Sequence, residues 1–186
     1  MKYFIQIIFF IISFFNLLSC NTYQRRAKDI IQTWNGKTII FTPLNAKIMG
    51  KDTIIPNILD HKYKVLTYID TTGCTACRLK LFDWKLFIKE LNTFSEDIAF
   101  LFVIHSKNYQ EFEDIQKANK FIYPVFYDYN ANLKNINNFP NDPNFQTFLL
   151  DQNNKVLIIG NPITISDNYM NIFSNNNKLL IFINVH

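Results

Sequence analysis

The chain has only four glycines and three cysteines in 186 residues. It contains no glycine-rich phosphate loop, no Gly-x-Ser-x-Gly elbow and no His-Glu-x-x-His pair. Those absences remove the usual signatures of nucleotide binding, serine acyl transfer and zinc hydrolysis. Three cysteines cannot build the disulfide framework that holds small secreted folds together. The three histidines, His61, His105 and His186, have no ligand spacing, so no four-ligand zinc set is present. Net charge is +4 without an extended basic stripe, and the many aromatics are interleaved with aliphatics, as in a core. Nothing in that pattern marks a nucleic-acid surface. The apolar run over residues 3–18 is too short to span a bilayer comfortably as a helix.

That run nevertheless decides the compartment. It follows Met1-Lys2, is rich in Ile and Phe, and is interrupted only by Gln6, Ser13 and Asn16. A positive start, an apolar centre and a small residue before the cut describe a secretory signal over residues 1–19. Its ending, Leu17-Leu18-Ser19-Cys20, resembles the lipobox of bacterial lipoproteins. The resemblance implies that Cys20 becomes the mature N-terminus and carries lipid; the other reading is an uncleaved anchor with Cys20 as an ordinary thiol. Asn21 with no acidic run after it is compatible with outer-membrane delivery, facing the periplasm. Arg25, Arg26 and Lys28 follow closely. They either lie near anionic headgroups or belong to a solvated tether.

With Cys20 lipidated, one thiol pair remains. Cys74 and Cys77 stand three apart in Tyr68-Ile69-Asp70-Thr71-Thr72-Gly73-Cys74-Thr75-Ala76-Cys77-Arg78. The apolar residues before them predict a strand, and those after them a helix. A helix N-terminus stabilises a thiolate through its unpaired N–H groups and its dipole, so Cys74 there would have a lowered pKa. Haem attachment needs a histidine after the second cysteine, where Arg78 stands. The pair is therefore either a redox couple or a small structural disulfide, in a compartment where disulfides persist.

About 165 residues beyond the signal suit one domain. Residues 20–56 read as a lipid-anchored linker and N-terminal extension: a polar linker or loose helix, a short strand over 38–41, then an irregular stretch over 43–56. The periodicity predicts strands over 63–69, 98–104 and 123–127, with helices over 74–91 and 108–119. Residues 130–144 read as loop with one helical turn over 133–136. Two strands over 146–150 and 155–159 flank the turn chemistry of Asp151-Gln152-Asn153-Asn154. Ser166 opens a last helix over 166–173, and residues 176–186 form a tail of uncertain place. Strands alternating with helices run parallel through right-handed crossovers. The fold class is α/β, a mixed central sheet with helices on both faces.

This order, with CxxC at the end of the first core strand, resembles the thioredoxin fold over about residues 57–175. It is similar to exported thioredoxin-like lipoproteins of the Bacteroidetes type, distantly TlpA-like. The matching stretches are residues 68–77, Tyr123-Pro124-Val125, and residues 145–156 followed by Gly160-Asn161-Pro162. The resemblance implies a membrane-anchored thiol–disulfide oxidoreductase acting on protein thiols and disulfides, with no bound cofactor and a separate redox partner. Cys74 matches the attacking cysteine and Cys77 the resolving one. Three positions depart from the family pattern. Phe145 stands where a cis-proline is expected, the nearest proline being Pro143. The intervening pair is Thr75-Ala76 rather than Gly-Pro. Tyr68 stands where a buried acid is often found.

Other residues have competing readings. His105 ends a central strand and is either a proton acceptor near Cys74 or a surface loop residue. Asp70 either orients Arg78 or water near the thiols, or caps a turn. Glu111 and Glu113 look solvated on a polar helix. The alternative for the whole chain is a non-enzymatic binding or assembly lipoprotein with an inert disulfide.

Overall fold

Eight consecutive residues that bury both faces explain the centre of the sheet. Strand β4, Ile98–His105, turns Ala99, Leu101 and Val103 to one core and Ile98, Phe102 and Ile104 to the other. Such a two-sided apolar strand belongs in the middle of a parallel array. The computed structural model describes residues 22–70, 80–94 and 97–163. Among them run helix α1 (22–34), β1 (Asn45–Ile48), β2 (Lys51–Thr53), β3 (Tyr63–Asp70), α2 (Leu81–Phe94), β4 and α3 (Tyr109–Ala118). Then come β5 (Val125–Tyr127), α4 (Asn132–Asn137), β6 (Thr147–Leu150) and β7 (Val156–Ile159). The sheet order is β2-β1-β5-β4-β3-β6-β7.

β3, β4 and β5 pair in parallel, as the strand–helix alternation predicts, and β6 and β7 add the antiparallel hairpin. The β3–β4 register runs unbroken from Tyr63↔Ile98 to Asp70↔His105. Asp151 Oδ1 accepts the N–H groups of Asn153 and Lys155, which makes the hairpin turn. α2 and α3 cover one face through Trp84, Ile88, Leu91 and Phe112, with Trp84 edge-on to Phe102 at 5.1 Å. On the other face Trp34 of α1 packs 5.1 Å from Phe148 and 5.8 Å from Phe139.

Several expectations change. Residues 22–34 are no loose tether: Ala27 and Trp34 are buried, and Ile30 and Ile31 pack on the same cluster. The strand over 38–41 reduces to a single bridge, Thr38 to Lys155, because the segment meets only the end of β7. The stretch over 43–56 contains a hairpin whose β1 pairs antiparallel with β5. Its two-residue turn has positive φ at Met49 (51°) and Gly50 (83°), the twist a tight hairpin needs. A Cβ at Gly50 would also meet the Glu113 carboxylate, which would have to move aside, so the positive φ is the main reason for glycine there. Of the helix expected over 74–91, residues 74–79 lie outside the described residues, and the described part runs over Leu81–Phe94. Lys80 takes a left-handed φ of 38°, α2 begins at Leu81, and the Trp84 N–H donates to the Lys80 carbonyl at 3.1 Å. Its apolar surface is also not covered all round, since Phe82 and Leu86 are exposed. The helical turn over 133–136 becomes the six-residue α4. The expected helix over 166–173 and the tail over 176–186 lie outside the described residues.

Candidate functional site

Parallel pairing brings the C-terminal ends of β3, β4 and β5 to one edge, and ligand or catalytic groups in open α/β sheets gather there. The residues at that edge are Asp70, His105 and Tyr127, followed by Asp128. Cys20, Cys74, Thr75, Ala76, Cys77 and Arg78 lie outside the described residues, so the chain is followed to Asp70, four positions before Cys74.

Asp128 organises the edge, and sequence reasoning missed it. It is 2% exposed, and its carboxylate is fully engaged. Oδ1 accepts the Asn132 N–H at 2.8 Å; Oδ2 accepts the Leu133 N–H at 3.0 Å and the Tyr68 hydroxyl at 3.2 Å. It thereby caps α4, whose entry residue Ala131 has a positive φ and no capping side chain of its own. The available signal was an acid four residues before an Asn-Leu helix start. Its link to Tyr68 needed the three-dimensional pairing of strands.

The remaining predicted residues are placed as follows. Asp70 accepts an ion pair from Lys134 on α4, at 2.6 Å, with both side chains largely buried. Arg78, the other partner expected for Asp70, lies outside the described residues. The His105 Nδ1 lies 2.9 Å from the Asp128 carbonyl, and since a carbonyl only accepts, Nδ1 carries the proton. This places His105 at the edge, half-buried, rather than on a free surface loop. Phe145 closes a 3₁₀ turn, Pro143–Phe145, before β6 and is buried in the aromatic cluster on the α1 face. The described residues contain no cis peptide bond, so the departure at this position is a trans phenylalanine turned into the core. Tyr68, where an acid is often found, is 2% exposed and meets Phe139 edge-on at 5.3 Å.

Beside this group lies a tyrosine cluster. Tyr109 stacks on Tyr127 at 4.7 Å, and Tyr129 leans on both. The Tyr127 hydroxyl donates to Glu113 Oε1 at 3.1 Å, so Glu113 is a hydrogen-bond acceptor rather than a solvated charge. Burial pushes the Tyr68 hydroxyl well above its ordinary value, and the Asp128 carboxylate adds to the shift. Burial and Glu113 do the same to Tyr127, and burial raises Tyr109. A hydroxyl with a raised folded-state pKa contributes stability that is complete below the unfolded pKa of about 10. The contribution is lost as pH climbs above it. In an absorbance titration, Tyr68 and Tyr127 should therefore stay protonated past pH 10, and the melting temperature should fall steeply there. If every tyrosine ionised with one midpoint near 10 while the fold persisted, this account of the cluster would be wrong.

No known family profile matches the chain, and neither does any curated protein. Solved structures do. A hypothetical protein of Sinorhizobium meliloti is similar at 12% identity, covering 78% of this chain and 77% of that one, with a TM-score of 0.54. Peroxidoxin BcpB of Mycobacterium tuberculosis is similar at 16% identity, over 67% and 83% of the two chains, with a TM-score of 0.50. The thioredoxin domain of a thiol-disulfide oxidoreductase of Bacteroides vulgatus is similar at 16% identity, over 66% and 87%, with a TM-score of 0.47. Strand order, crossovers and the similarity to the peroxidoxin agree: the chain has a thioredoxin-like α/β fold.

Proposed function

We propose that the chain is a lipid-anchored thiol–disulfide oxidoreductase of the cell envelope, working on protein thiols and disulfides with Cys74 and Cys77. The observation that carries the reading is position. The only CxxC in the sequence begins four residues after the last residue of β3, and β3 ends at the edge where the parallel strands finish. In the sequence Cys74 comes four residues after Asp70, which pairs with His105 across the sheet and with Lys134 of α4. The Cys74 thiolate attacks one sulfur of a substrate disulfide and releases the other as a thiol. Cys77 then attacks the mixed disulfide, which frees the second substrate thiol and leaves Cys74–Cys77 oxidised. Two electrons pass to the substrate, and an external dithiol restores the pair. The same steps run backwards oxidise a substrate.

The envelope location rests on the signal at 1–19 and on lipidation of Cys20, with the mature domain facing the periplasm. No described helix is long and apolar enough to cross a membrane. The Phe145 position favours a second reading, a binding or assembly lipoprotein that keeps an inert disulfide, because an aromatic side chain replaces the proline there.

The reduction potential of the pair separates the two. In graded thiol/disulfide buffers, read by alkylation gel shift on the purified chain, an exchanger falls between about −120 and −270 mV. A structural disulfide stays oxidised below about −300 mV, and that result would leave only the binding reading.

A further inference from the structure

Helix α1 is packed on the sheet from Ala27 onward, which is 1% exposed, and the first described residue, Thr22, is already helical. If Cys20 carries lipid, as proposed above, only two residues join the lipid to a rigid domain. Two residues reach at most about 7 Å. A headgroup layer is itself roughly 5–7 Å thick, half the difference between the whole bilayer and its hydrocarbon core. The start of α1 is then held at headgroup depth. The side of α1 turned away from the core carries Arg25, Arg26 and Lys28, all exposed, against one acid, Asp29. None of the three cations has an ion-pair partner among the described residues. Tyr23, half-exposed, lies at the end nearest the lipid.

We propose that the outer face of α1 is a docking surface for anionic phospholipid, so that the domain lies against its own membrane instead of swinging on a tether. The inference rests on lipidation at Cys20. It adds a fixed orientation: the α1 face toward the bilayer, the α2–α3 face toward the aqueous space. Headgroup charge acts within about a Debye length of the surface, near 10 Å, and Arg25 and Arg26 stand within about 6 Å of the helix start, at 1.5 Å per residue.

The test uses the purified full chain in vesicles of phosphatidylglycerol and phosphatidylethanolamine, and in vesicles of phosphatidylcholine alone. A water-soluble acetylating reagent is applied, and modification of Lys28 and of Lys89, exposed on α2, is measured by mass spectrometry. The expected result is Lys28 slowed about threefold or more in the anionic vesicles relative to phosphatidylcholine, with Lys89 unchanged. The double variant Arg25→Glu/Arg26→Glu should lose that difference while keeping its lipid. Equal rates at Lys28 in both vesicles, or equal slowing of Lys28 and Lys89, overturns the docking surface. The mass of the N-terminal peptide reports the anchor separately. A lipidated chain with an unprotected Lys28 fails this inference alone, whereas a chain without lipid at Cys20 fails the anchor and the docking surface together.

Discussion

Replacing Cys74 by alanine is expected to reduce thiol–disulfide exchange to the rate of the uncatalysed solution reaction, while Cys77→Ala stops turnover at a trapped intermediate. The two outcomes differ because the proposed function gives the two sulfurs different tasks. Exchange proceeds through a mixed disulfide, and its rate depends on the thiolate fraction of the attacking thiol. Without Cys74 no mixed disulfide forms on the chain. Without Cys77 the first attack still occurs, but nothing within the protein releases the product. Mass spectrometry of the Cys77→Ala protein after exposure to a disulfide peptide should therefore find the peptide on Cys74. Neither substitution should alter the melting temperature of the reduced protein by more than a degree or two, since neither changes the described core. Adducts of similar abundance on Cys77 in a Cys74→Ala protein would reverse the roles. Full exchange activity in that variant would remove the pair from the chemistry.

A comparably large effect on stability is expected at the opposite end of β3. Lys64 is fully buried, which is rare for a lysine. Its Nζ donates to the carbonyls of Leu59 at 3.0 Å and of His61 and Gln152 at 3.1 Å. Burial pushes its ammonium below the ordinary value. The three carbonyls supply the acceptors that make the burial tolerable. They belong to the turn before β3 and to the β6–β7 turn, so one side chain ties the first loop to a second whose carbonyl lies 88 residues beyond Lys64. Lys64→Met keeps the aliphatic stem and removes every donor. Removing the donor from three part-buried carbonyls costs roughly 1 kcal/mol each, so a loss of about 3 kcal/mol is expected. In urea the midpoint should fall with the slope unchanged. A change within about 0.5 kcal/mol, the range of an ordinary surface substitution, would show that water replaces the ammonium there.

The parts of the fold that the sequence discloses are those whose pattern is set by local burial. β3 and β4 are continuous apolar runs because both faces are covered. α3 is amphipathic, with Asn108 accepting the Glu111 N–H at its start. The β6–β7 turn is written in Asp151 and Asn154, the latter at a left-handed φ of 62°. What escapes is structure imposed by distant partners. β1 and β2 are four and three residues long, with polar residues among them, and become strands because β5 offers an open edge. α1 looks like a polar tether, for its inner face has few apolar residues and needs Phe139 and Phe148 to complete it. The left-handed Lys80 before α2 has no compositional mark, since lysine is a good helix former. At the candidate site, the cysteine pair and the strand ends can be read from spacing. The partners of Asp70, His105 and Tyr68 cannot, because Lys134 and Asp128 reach them across 23 to 64 residues of chain.

The two outer strands of the sheet matter for what happens when many copies share one surface. Proteins held in a plane meet at high local density, and an open strand edge then invites a neighbour's backbone to join it. On one side β2 offers three residues, with Lys51 and Asp52 exposed, too short and too charged to template another strand. On the other, the chain closes its own edge. The Gly36 N–H donates to the Val156 carbonyl at 2.8 Å, and the Val156 N–H donates to the Lys37 carbonyl at 2.7 Å. The segment after α1 therefore covers the start of β7, so that among the described residues both ends of the sheet leave only a short run of backbone for a neighbour to join.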